Sequence, residues 1–115
     1  MFRSIFEHAN AGMNTLTLRG RYLQVNQAFC AFVGYSREEL QSLTVFDLTH
    51  PDDLLETRQR FDAIRDGKYE SFDYEKRFIC KDGKVVWGHV TSAWMFDGRR
   101  QPLYGIDFSA EHIRP

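Results

Sequence analysis

The spacing of apolar positions changes along the chain, and each spacing predicts a different element. Near the start, Phe2, Ile5, Phe6 and Ala9 recur three and four residues apart, as on one face of a short amphipathic helix. From Phe72 onward, apolar and polar residues alternate, which is typical of strands. The pattern therefore predicts a helix at the start of the chain and strands in its last third.

The region after the first helix predicts a hairpin followed by a helix. Residues 13–18 and 22–25 favour strands, and the turn between them is centred on Gly20. Asn26 is a good N-cap for the apolar stretch that follows, and Gly34 supplies a left-handed stop. Both ends of this helix are therefore marked in the sequence.

Two more helix starts follow. Ser36 and Glu39 match a capping box, which predicts a second short helix. Pro51 suits the first position of a third helix, and we expect Asp52 and Asp53 in its first turn to act as caps at the positive end of the helix dipole.

Three strands are predicted over residues 72–80, 85–96 and 103–108, with Asp-Gly turns between them. The result is an α+β fold with one antiparallel sheet. Residues 85–96 are apolar on both faces, with Trp94 on one face and Trp87 on the other. The internal helices cover one face, so the other needs the N-terminal helix, a neighbouring domain or a second copy of the chain.

Composition limits the classes of function. A chain of 115 residues, with 43 % hydrophobic and 15 % aromatic residues, is expected to form one packed domain over residues 1–115. Its net charge of -1 argues against a nucleic-acid binder. No apolar run is long enough to cross a membrane and the start does not match a signal peptide. We therefore expect a cytoplasmic domain, cut from a longer protein.

Few residues offer catalytic chemistry. Cys30 and Cys80 lie alone in apolar runs, and the four histidines have no metal-ligand spacing, so we expect no metal site and no enzyme. A small α+β enzyme would need an inward-facing acid, and Asp73, Glu75 and Asp107 are the strand carboxylates available.

Lys76 interrupts an otherwise apolar strand face formed by Phe72, Tyr74 and Phe78. Its ammonium either reaches the rim of a pocket or meets an anionic ligand inside it. We favour the rim, because a long aliphatic stem lets a lysine carry its charge to water.

The order of several short motifs along the chain is similar to that in a known protein family. They are IFEHA at residues 5–9, VNQAF at 25–29, VGYS at 33–36 with EEL at 38–40, HPDD at 50–53, EKRF at 75–78, KDG at 81–83 followed by Trp87, and GIDFS at 105–109. In this order and spacing, from Phe2 to about Ile113, the chain resembles a PAS domain, a sensory module of signalling proteins.

The resemblance implies a five-stranded antiparallel sheet in the order 2-1-5-4-3, with helices over one face and a short N-terminal helix. It implies a sensory module that relays a change to a linked effector domain, such as a histidine kinase or a diguanylate cyclase. Signal output would pass through Asp107, Phe108 and Ser109, where the family often has Asp-Ile-Thr.

The resemblance also bears on cofactors. Haem-binding members carry a histidine in the helix that corresponds to residues 52–66, and this stretch has none. Members with flavin photochemistry carry an Asn-Cys motif, and no cysteine lies between Cys30 and Cys80. We therefore expect neither haem nor a flavin adduct, while a non-covalently bound flavin or a small metabolite stays open.

Apolar residues at inward positions are the candidates for a ligand cavity: Phe29, Phe32, Val33, Leu40, Phe46, Leu54, Phe61, Phe78, Trp87, Val90 and Trp94. Trp87 and Val90 are an odd number of positions apart on one strand, so only one of them faces the cavity.

Two hypotheses remain besides the enzyme. The first is a sensory module that binds a small ligand or a partner. The second is a ligand-free dimerisation module, filled by its own aromatic side chains and paired through the sheet face and the N-terminal helix. A cavity under about 100 Å³, against the roughly 300 Å³ of a small-molecule site, favours the second.

Overall fold

The caps and turns read from the sequence set most element boundaries. The computed structural model describes residues 2–112, and their side chains from Ser4 onward; the remainder of the predicted domain, Met1 and residues 113–115, lies outside the described residues. The elements are α1 (Phe2–His8), β1 (Gly12–Leu16), β2 (Tyr22–Val25), α2 (Gln27–Val33), α3 (Arg37–Leu40), a 3-10 helix (Pro51–Asp53), α4 (Leu54–Arg65), β3 (Ser71–Ile79), β4 (Val85–Phe96) and β5 (Pro102–Glu111).

The five strands form one antiparallel sheet in the order β2-β1-β5-β4-β3, which confirms the predicted fold. In this order β5 lies at the centre, β1 and β4 flank it, and β2 and β3 form the two edges. The last strand of the chain therefore pairs with β1 and β4 and is held on both sides.

The ends of α2 and α3 follow the predicted capping chemistry. Asn26 Oδ1 accepts a hydrogen bond of 2.9 Å from the Phe29 amide, and Gly34 ends α2 with φ at 79°. Ser36 Oγ accepts from the Glu39 amide while Glu39 Oε1 accepts from the Ser36 amide, a complete capping box.

Asp52 and Asp53 lie in the first turn after Pro51, as predicted, but the prediction that they supply the capping bond is wrong. His50 Nδ1 accepts the hydrogen bond from the Asp52 amide, at 3.1 Å, and the Asp53 side chain makes no cap bond. Asp53 instead accepts from the Arg77 amide and from two guanidinium nitrogens at 2.8 and 3.0 Å. A bidentate pair with arginine satisfies a carboxylate better than one helix amide does.

A β-bulge at Leu23 allows two residues of the short edge strand β2 to face the core. Tyr22 pairs with Leu16 and Val25 pairs with Asn14, although Tyr22 and Val25 are three positions apart. The extra residue in the strand allows both to point inward, and both are buried.

Two glycines on the sheet let aromatic rings lie close to its inner face. A Cβ on Gly88 would lie 2.4 Å from the Phe78 ring, and one on Gly105 would lie 2.5 Å from the Trp94 ring. Any side chain at these positions would push the rings outward, so the glycines determine how deeply the core is filled.

Candidate functional site

Most of the predicted cavity residues lie in the core between the helices and the inner face of the sheet. Six are buried in one cluster, and two more are partly buried and packed against it; the six are Phe29, Val33, Leu40, Phe78, Val90 and Trp94, and the two are Phe32 and Phe61. The sequence pattern therefore identified a common region of the fold.

The other three candidates lie elsewhere. Phe46 is partly buried and its ring centre is 5.1 Å from that of Phe61. Leu54 is partly buried at the first residue of α4. Trp87 is on the outer face of β4, where the Arg77 guanidinium lies 4.9 Å from its ring. Val90 is on the inner face, so the cavity position predicted for Trp87 is wrong.

The aromatic side chains of the core contact one another and occupy the space between helices and sheet. The ring centres of Phe32 and Phe78 are 5.0 Å apart, and those of Phe61 and Trp94 are 5.8 Å apart. Both pairs are edge-to-face, a favourable arrangement for buried rings. The rings therefore pack mainly against protein.

Among the described residues, two small cavities of about 10 Å³ each lie on the inner face. Asp107 contributes to both of them. A volume of about 10–15 Å³ holds one water molecule. Neither cavity approaches the roughly 300 Å³ at which small-molecule pockets begin.

Lys76 does not reach a pocket rim, so that prediction is wrong. Its side chain is buried, with 3 % exposed, and Nζ donates to Thr49 Oγ1 at 2.9 Å. The ammonium also lies 4.7 Å from the centre of the Phe78 ring. These two contacts hold the charge inside, and burial lowers the pKa of Lys76 to about 8.

The three predicted output residues alternate between the two faces of β5. Asp107 and Ser109 are buried on the inner face, whereas Phe108 points outward with 43 % exposed. Burial raises the pKa of Asp107, while neighbouring Ser92, Lys76 and Asn14 act to lower it. The strand thus carries a buried carboxylate directly beside an exposed aromatic ring.

Sequence reasoning missed the polar residues that complete this buried cluster. Asn14, Ser92 and Thr49 are at most 5 % exposed, and all lie near Lys76 or Asp107. Asn14 and Ser92 occupy inward positions on β1 and β4, opposite Asp107 in the sheet register. Strand alternation could have identified Asn14 and Ser92, because each lies an even number of positions from apolar residues that face inward.

The three strand carboxylates divide between the faces of the sheet. Asp73 and Glu75 lie on the outer face beside His89 and His112 respectively, with Glu75 and His112 3.0 Å apart. Asp107 does face inward, as an enzyme of this shape would require, but the cavities beside it have room for about one water molecule each. A substrate has no space next to that carboxylate.

Larger concavities lie outside the core. One of about 380 Å³ runs between α1, β2 and α3, and another of about 580 Å³ lies on the outer face of the sheet. Leu23 and Gln24 line both of them. Within residues 2–112, no helix is long and apolar enough to cross a membrane, and no cluster of three potential metal ligands occurs.

Comparison with known proteins gives a consistent family match. The sequence profile described as PAS fold matches residues 22–108. The chain is 36 % identical over 105 residues to "Probable diguanylate cyclase DgcE" of Escherichia coli K12, covering 91 % of this chain and 10 % of that protein. It is 24 % identical to "Sensor histidine kinase TmoS" of Ectopseudomonas mendocina, covering 82 % of this chain and 10 % of that protein.

Solved structures show the same fold. The crystal structure of a PAS domain from Colwellia psychrerythraea superposes with a TM-score of 0.84 at 18 % identity, covering 96 % of this chain and 93 % of that one. At this identity the likeness concerns the fold alone. By contrast, the chain spans about a tenth of the length of the two relatives compared above.

Proposed function

The chain belongs to the PAS family, and we propose that it is a sensory or regulatory module without catalysis of its own. In this proposal, residues 1–115 form one domain of a longer cytoplasmic protein and regulate a linked effector such as a histidine kinase or a diguanylate cyclase. One observation carries it: 91 % and 82 % of the chain match a cyclase and a kinase, yet the match occupies 10 % of each relative. A module shared by unrelated effectors suits regulation better than chemistry.

A chimera tests this function. The matched segment of the cyclase relative is replaced by this chain, and cyclase activity is compared with that of the parent and of a version lacking the segment. We expect the chimera to resemble the parent, with activity that responds to Asp107→Asn at the output strand. A chimera indistinguishable from the deletion would contradict the proposal.

The interior favours a partner over a large cofactor as the input. The two inner cavities, of about 10 Å³ each, are far smaller than the several hundred Å³ that a flavin or haem pocket needs. This supports the ligand-free dimerisation module over the small-ligand sensor. The aromatic rings over Gly88 and Gly105 take the place of a ligand in this proposal.

A second copy of the chain is the partner that the outer sheet face best suits. Large apolar side chains are exposed there, with Leu23 56 %, Met95 39 %, Tyr104 37 % and Phe108 43 % exposed. Ile5 on α1 is 66 % exposed as well, so the N-terminal helix also carries an exposed apolar side chain. An antiparallel sheet with one covered face leaves such a surface for association.

Sedimentation of two variants tests the homodimer. Phe108→Glu places a charge on the outer face of the sheet, and Leu55→Glu places the same charge on α4, where Leu55 is 69 % exposed. We expect Phe108→Glu to weaken dimerisation about tenfold or more, as for a central apolar contact. Leu55→Glu should leave it unchanged, and equal behaviour of the two variants would contradict this interface.

A further inference from the structure

One of the two internal cavities brings together polar groups from three strands. Asn14 of β1, Lys76 of β3, and Asp107 and Ser109 of β5 line it, with Tyr22 at its side. All five side chains are at least nine-tenths buried. The cavity volume of about 10 Å³ is at the lower end of the roughly 10–15 Å³ that one water molecule needs.

Two buried polar atoms at this cavity have no protein partner. Within residues 2–112, neither Asn14 Nδ2 nor Asp107 Oδ1 has a hydrogen-bond partner. Asn14 lies close enough to Asp107 to lower the carboxyl pKa, yet its amide group completes no bond of normal geometry. Buried donors and acceptors are rarely left unpaired, because the loss of their hydration is costly.

The two atoms need opposite partners. Asn14 Nδ2 needs an acceptor, and Asp107 Oδ1 needs a donor. An anion in the cavity would be repelled by the Asp107 carboxylate, and a cation would be repelled by the Lys76 ammonium. Water both donates and accepts, and the Lys76 ammonium has donors beyond the one that it gives to Thr49.

We propose that the cavity between Asn14, Lys76 and Asp107 binds one water molecule, which joins Lys76 and Asp107 into a proton-sharing pair. The water accepts from both Asn14 Nδ2 and Lys76 Nζ and donates to Asp107 Oδ1. A proton that leaves Lys76 passes to the water as a proton on that water moves to Asp107, so the pair exchanges one proton without an external reactant.

Other charged and titratable groups around the pair come from each element packed against it. The positive charge of Arg60 on α4 acts to lower the pKa of Lys76, and the negative charge of Asp53 on the 3-10 helix acts to raise it. Tyr74 of β3, which stacks 3.7 Å from the Arg60 guanidinium, and Tyr22 of β2 both interact with Asp107. Asp107 is the largest electrostatic influence on Lys76 and acts to raise its pKa.

A crystal structure of this chain at atomic resolution tests the water site. We expect one ordered water within about 3.2 Å of both Asn14 Nδ2 and Asp107 Oδ1. An empty cavity would overturn the site, and so would a direct bond between Asn14 and Asp107 that closes it.

Titration of Lys76 by NMR tests the proton-sharing pair. We expect Asp107→Asn to lower the pKa of Lys76 by about 1 or more, as for loss of a nearby opposite charge. Asp73→Asn is the matched control, because Asp73 lies on the outer face of the strand that carries Lys76. A Lys76 pKa that responds equally to both variants would overturn the pair, and the crystal structure decides the water site if Asp107→Asn fails to fold.

Discussion

The two faces of the sheet use the same residue types in opposite ways. On the inner face, Phe78 and Trp94 lie over glycines and line two cavities of about 10 Å³ each. On the outer face, Tyr104 and Phe108 are 37 % and 43 % exposed beside a concavity of about 580 Å³. The aromatic content of the chain therefore fills one face and leaves the other available for contact.

In the proposed function, this difference makes β5 the strand that would relay a change between the two faces. β5 touches both environments, because Asp107 lies in the buried polar cluster and Phe108 on the exposed face. The two faces are therefore linked directly along the backbone of β5, since neighbouring residues of a strand alternate between faces. Variants that act on one face and not the other can test this division.

The largest expected effect separates two tryptophans of β4. Trp94 is buried and contacts Phe61, so Trp94→Ala should lower the free energy of unfolding by about 3–5 kcal/mol. Trp87 is partly buried on the outer face beside Arg77, so Trp87→Ala should cost about 1 kcal/mol. Urea denaturation of both variants measures the difference, and equal losses would contradict the assignment of faces.

The next effect comes from pH. Folded Lys76 releases its proton near pH 8, whereas the unfolded chain retains it to about 10.5, so the unfolded state binds more protons between these values. The free energy of unfolding should therefore rise with pH across this window, by up to about 1.4 kcal/mol per pH unit. Below pH 8, the titration of Lys76 should leave it unchanged.

Comparison with a variant isolates that contribution. Lys76→Met should flatten the rise in the free energy of unfolding, measured by urea denaturation from pH 7 to 10. Lys81→Met provides the control, because Lys81 is exposed and pairs with Glu39 at the surface. A wild-type profile as flat as that of Lys76→Met would mean that the buried lysine titrates normally.

A smaller effect is expected at the glycines of the inner face. Gly105→Ala puts a methyl group 2.5 Å from the Trp94 ring and should cost about 1–3 kcal/mol. A Cβ at Gly98 meets nothing within 4 Å, so Gly98→Ala should change stability by less than about 0.5 kcal/mol. Thermal unfolding of the two variants compares them, and a neutral Gly105→Ala would show that the rings move away freely.

Local chemistry made much of the fold predictable. The Asn26 and Ser36 caps and the Gly34 stop depend on neighbours within a few residues, and the alternation of residues 85–96 assigned Trp94 and Trp87 to opposite faces. The sheet order came from the family resemblance, because hairpin turns do not determine which strands lie at the centre.

The candidate site depended on contacts between residues far apart in the chain. Asp53 was predicted as a cap because Pro51 precedes it closely, whereas its partner, Arg77, is 24 positions away. Lys76 was predicted at a rim because its partner Thr49 lies in a segment with no helix or strand pattern. Long-range partners of charged groups have no signature in periodicity, so these assignments required the structure.

Native mass spectrometry of the purified chain tests the central claim most directly. If the core is filled by its own side chains and the outer face joins two copies, the spectrum shows a species of twice the 13.5 kDa chain mass with no additional bound mass. A monomer that retains a small molecule would contradict the account, because the interior would then open for a ligand and the outer face would not pair.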